Sequence, residues 1–153
     1  MPIDLAAALP QLLPRAIEWV EAQQAKVQRL GTPLSLDGIA LARAVGVVLP
    51  EMVRVALVDR LPRPDDPELR EAALQAGLLN PGTFGITFGH AIYIRSGHLA
   101  NRLLSHECRH VHQYESLGSI AAFLPVYLQQ IVEHGYDNAP FEVDARAHER
   151  DAP

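Results

Sequence analysis

Residues 98–115 read HLANRLLSHECRHVHQYE, from His98 to Glu115, and the rest of the chain can be placed around them. The stretch holds no proline. Leu99, Leu103 and His106 recur at helical spacing, Ser96-Gly97 stands before it and Gly118-Ser119 breaks it, so one long helix is expected. Inside it His106-Glu107-Cys108-Arg109-His110 forms an H-E-x-x-H pattern. Histidines at i and i+4 stand one turn apart on one helix face, so their ring nitrogens can converge on a single zinc ion at roughly 2.0–2.1 Å. Glu107, beside the first histidine, can reach a zinc-bound water and act as its general base. For a chain with seven histidines among 153 residues, about 0.02 chance occurrences of the pattern are expected. Cys108 lies about 200° around the helix from His106 and is expected in the core. His112 faces away from His110 and reads as a hydrogen-bonding or surface residue.

Outward from this helix, two short strands precede it, Phe84 to Phe88 and Ala91 to Arg95, with Gly89-His90 as a hairpin turn. Met52 to Val58, rich in β-branched residues, reads as a third strand. Helices are expected over Pro14 to Leu30, from Ser35 to about Val45, and over Pro67 to Ala76. After the long helix, Ile120 to Val132 reads as another, bent at Pro125, and Phe141 to Arg150 as a last short one. Helices, then a small mixed or antiparallel sheet, then helices predict an α+β fold in one domain over 1–153. Residues 1–50 form its helical N-terminal part and 52–150 the metal-binding core.

A catalytic zinc takes three protein ligands and keeps a fourth position open. Glu142, Asp144, Glu149, His134 and His148 are the downstream candidates for the third. Ala145, small and one turn after Glu142, would let two helices approach closely, which favours Glu142. Asp144 projects about 160° away from Glu142, and Glu149 shares its face two turns on. Tyr136 and His134, in the loop before Glu142, are candidate hydrogen-bond donors to a developing oxyanion. His90 and His98 read as capping or surface residues, and Phe123, Val126 and Tyr127 as core.

H-E-x-x-H with a downstream Glu142-Val143-Asp144-Ala145, an E-x-x-A on a second helix, resembles the gluzincin metallopeptidases, in particular the small bacterial minigluzincins. Gly89 to Ile94, His106 to Gln113 and Asn138 to Glu142 carry the likeness, which spans roughly residues 52–150. It implies a zincin-like fold with zinc held by His106, His110 and Glu142, and Glu107 as general base. It also implies that the strand before the helix is an edge strand, so Ala91, Ile92 and Tyr93 would pair with an extended substrate. The alternative is that this strand only supports the helix. In the prenyl-protein peptidase branch an aspartate comes after E-x-x-A. Arg146 stands there in this chain, so the groups that orient the histidines must come from elsewhere.

Composition narrows the function. Thirteen basic against 18 acidic residues, a net charge of −5, argue against a nucleic-acid binder. A single cysteine excludes an intramolecular disulfide framework and multi-cysteine metal sites. The longest apolar run, Ile120 to Leu128, is far short of the roughly 20 residues of a membrane span. Asp4 and prolines at 2, 10 and 14 do not suit a signal peptide, so a cytoplasmic location is expected. The leading expectation is a zinc-dependent peptidase acting on a peptide or protein. The alternative is a zinc-binding module with little or no turnover. A third reading has the substrate delivered by a partner or a membrane surface.

Overall fold

The computed structural model describes residues 2–153 and shows an α+β fold of six helices and a four-stranded mixed sheet. Helix α1 spans Leu5–Leu30, nine residues more than the sequence reading at its start. Asp4 caps it by accepting from the Ala7 N–H, and Pro10 and Pro14 fall inside it. Each proline removes one helical hydrogen bond, freeing the carbonyls of Ala6 and Pro10. Ala6, Pro10 and Pro14 are all exposed, so this face of the helix is open to solvent and the loss is tolerated there.

Strand β1 is Thr32–Pro33, where the sequence suggested only a helix end. Helix α2 is Leu36–Ala44, capped by Ser35. Pro50–Met52 is a 3-10 turn, which delays strand β2 to Arg54–Val58. Helix α3, Pro67–Gln75, has Asp66 as its cap. Strands β3, Gly85–Phe88, and β4, Ala91–Arg95, form the expected hairpin. Gly89 sits at φ +68, as a type II′ turn requires at its first central position. Helices α4, Asn101–Leu117, α5, Ile120–His134, and α6, Pro140–Ala147, complete the chain.

The sheet order is β1-β2-β4-β3. β4 runs parallel to β2 and antiparallel to β3, so it is a central strand. Ala91, Ile92 and Tyr93 therefore cannot form the substrate-pairing edge that the family resemblance implied. Ile92 and Ile94 pack with Leu41 of α2, with Val45 just after it, and with Leu104, Cys108 and Val111 of α4. Ala91 and Tyr93 point the other way, into a cluster with Val20 and Val27 of α1 and Phe123 and Leu124 of α5. A strand covered on both faces needs no polar alternation, and Ala91-Ile92-Tyr93-Ile94 has none. The free edge beside α4 belongs to β3. Among the described residues, no helix is long and apolar enough to cross a membrane.

Candidate metal centre

Helix α4 places His106 and His110 one turn apart, their rings 5.0 Å from centre to centre. Helix α6 carries Glu142 to them. Ala145 is fully buried in that packing, as its small size led us to expect. Glu142 Oε1 lies 3.3 Å from His106 Nε2, and Oε2 lies 3.1 Å from His110 Nε2. One donor atom from each of the three residues falls within 4.8 Å of the other two. Tetrahedral ligands about 2.0–2.1 Å from a shared ion stand roughly 3.3 Å apart, so two imidazoles and a carboxylate placed this way could hold a metal ion.

Each imidazole is oriented by its other nitrogen. His106 Nδ1 donates to Glu149 Oε2 at 2.8 Å, and His110 Nδ1 to Gln113 Oε1 at 2.7 Å. The Gln113 amide is itself fixed, because its Nε2 donates to the Phe141 carbonyl and to Asp144 Oδ2, both at 2.9 Å. Asp144 in turn receives two bonds from Arg109, at 2.8 and 3.2 Å. Both Nε2 atoms are thereby turned toward Glu142. Glu149 and Asp144, weighed as third ligands, act one step back from the centre. Arg146, at the position that departs from the family pattern, donates to the Asp137 carbonyl. His148 caps the end of α6, with its Nδ1 2.8 Å from the Asp144 carbonyl oxygen.

Glu107 is buried between α4 and β3. Thr87 Oγ1 donates to Glu107 Oε1 at 2.8 Å and lies 3.1 Å from the Glu107 carbonyl. Gly85 passes so close that a methyl group there would sit 3.2 Å from Glu107 Oε2. Burial raises the Glu107 carboxyl above its ordinary value, against the pull of the two histidines. A raised carboxyl pKa is what a general base near neutral pH requires. Burial opposes charge on His106, but hydrogen bonding to Glu142 and the nearby Glu107 outweigh it and raise the ring to about 9. Glu142 is held well below the usual carboxylate range: burial opposes this, and both histidines and Tyr127 overcome it.

Of the two proposed oxyanion donors, only Tyr136 lies near the centre, where burial and the Glu142 charge raise its hydroxyl. His134 is half exposed at the end of α5 beside Glu133, turned out to solvent by its place in the last helical turn. Tyr127, read as core, donates to Glu142 Oε2 at 2.8 Å. Its place four residues after Phe123 on an apolar face hid that role, since a tyrosine there serves equally well as packing. Val126, grouped with them, is substantially exposed. Cys108 is fully buried, as expected. His112 bonds the Gly46 carbonyl, His98 stacks on Phe84, and His90 pairs with Glu115.

Comparison of the chain with protein-family models, with curated proteins and with solved structures finds no match.

Proposed function

We propose that this protein is a zinc-dependent hydrolase of the gluzincin kind, cutting amide bonds in a peptide or protein. The observation that supports it most is the convergence of His106, His110 and Glu142 with Glu107 lying alongside. His106, His110 and Glu142 would hold the ion, which when bound supplies Lewis acidity to a water and to the substrate carbonyl. Glu107, positioned by Thr87, takes the proton of the attacking water and delivers it to the leaving amine. Tyr136 offers a hydroxyl to the carbonyl oxygen as charge develops there. Gln113 and Glu149 keep both imidazoles in one tautomer throughout.

The test is turnover of a peptide library by zinc-loaded protein. Glu107→Gln keeps the shape of the side chain and cannot accept the proton. Its zinc content and melting temperature should match wild type, while hydrolysis falls by about 10² or more. Equal hydrolysis by the two proteins would remove Glu107 from the reaction. A second reading, a zinc-holding module without turnover, draws support from how little of the site meets solvent. Glu107 is 4%, His110 6% and Glu142 2% exposed. Zinc held by both proteins with no bond cut by either would favour it.

A further inference from the structure

A cavity of about 150 Å³ adjoins the metal centre, with Glu107, His110 and Glu142 in its lining. Almost everything else around it is apolar. Leu5, Leu9, Leu12, Ala16 and Trp19 of α1 face α3 and α5 across it. Most hydroxyls of the lining are already used: Thr87 Oγ1 donates to Glu107, Tyr114 to the Thr87 carbonyl at 3.2 Å, Tyr127 to Glu142 and Thr83 to Asn80, while Tyr136 stands beside Glu142 at the metal end. Away from the metal end, a charged or hydrogen-bonding guest would be buried without partners, which disfavours it. Apolar cavities of this size stay dry and accept hydrocarbon guests.

The shape narrows the guest. Trp19 packs edge-on against Phe88 of β3, 5.3 Å between ring centres, so the lining runs along α1 from the sheet back to Leu5. That is about 20 Å of helix at 1.5 Å per residue. So small a volume along so long a run makes a narrow bore, which suits a linear chain better than a branched group. An apolar amino-acid side chain, with at most about five bonds beyond its Cα, does not reach that far. Ala16 and Ala72, both nearly buried, keep the bore open where larger residues would close it.

We infer that the substrate is an N-acylated amine or peptide whose linear acyl chain lodges in this bore, placing its amide carbonyl at the metal centre. The inference rests on the hydrolase reading and names its substrate class. The amide C–N bond breaks and a C–O bond forms to the oxygen of water. Of the two protons of that water, one passes through Glu107 to the leaving amine and the other stays with the fatty acid released.

The experiment separates binding from turnover. Calorimetry of zinc-free protein with N-acylglycines of 2 to 14 acyl carbons should show affinity rising with length past about six carbons, beyond the reach of any amino-acid side chain, before it levels or falls. Ala16→Phe from α1 and Ala72→Phe from α3 each plug the bore. Each should weaken N-decanoylglycine at least tenfold and leave N-acetylglycine unchanged. Affinity independent of chain length in the wild type overturns the inference without recourse to either variant. So does binding of phenylalanine or leucine amides with no gain from acyl chains, which would make the cavity a side-chain pocket. Length-dependent binding to zinc-free protein, with no cleavage of N-decanoylglycine after zinc loading, upholds the bore as a chain site and counts against the hydrolase reading alone.

Discussion

Glu149 is the residue whose role the linear sequence shows least. It is one of several carboxylates that could ligate a metal, and seven residues separate it from Glu142. Only the fold shows that it receives His106 Nδ1 at 2.8 Å while Glu142 faces Nε2. A partner of this kind fixes the tautomer and strengthens the ligand, so Glu149→Ala should weaken zinc affinity about 10- to 100-fold without unfolding the protein, as a zinc-chelator competition would measure. Asp144→Ala removes one of the two acceptors that pin Gln113 and should have a smaller effect. Cys108 shows what helical geometry alone can deliver: its angular separation from His106 predicts burial, and burial pushes the thiol up to about 12. At pH 7–8 it should resist alkylation by iodoacetamide in the native state and react once the chain is unfolded in denaturant, as mass spectrometry would record.

At the level of elements, the end of α4 is tied to two distant loops by one carboxylate. Glu115 accepts from the backbone N–H groups of Val48 and Leu49 at 2.8 and 3.0 Å and lies 3.0 Å from His90 Nε2 in the hairpin turn. Burial opposes the charge, but the Val48 and Leu49 amides and His90 prevail and lower its pKa below the ordinary 4.5. A carboxylate so depressed stabilises the fold fully above about pH 4.5 and loses that contribution as pH falls through the lowered value. Glu115→Gln should therefore cost about 1–2 kcal/mol near pH 7, and the difference from wild type should shrink below pH 4. Denaturant melts across that range would show it, and a difference constant with pH would exclude the ion as its source. The position of β4 is a second lesson at this scale. The run Ala91 to Ile94 lacks alternation, which marks a strand buried on both faces, yet the family resemblance placed it at an edge. Pairing partners are set by long-range contacts, here β2 more than thirty residues upstream.

For the whole molecule, the proposed ion would link regions that sequence keeps apart, since α4 and α6 each supply ligands. Zinc that binds only the folded chain stabilises it by about 2.7 kcal/mol at a hundred times its dissociation constant. For a domain of this size that corresponds to roughly 5–10 °C in melting temperature. Adding a chelator to zinc-loaded protein should remove that increment, and Glu142→Ala should show none of it, as scanning calorimetry would report. Much of the architecture is legible in the chain alone. The helix of His106 and His110, the β3–β4 hairpin and the α+β class come from local periodicity, turn chemistry and i, i+4 geometry, all short-range properties. The start of α1 is not legible there, because Pro10 looks like a helix breaker until the solvent exposure of its face is known. Nor are Tyr127 on Glu142, Thr87 on Glu107 or the bore along α1. Each depends on which surfaces meet when α1, β3, α4 and α5 close on one another, and a side chain's partner across a packed interface is decided by that closure, not by its neighbours in sequence.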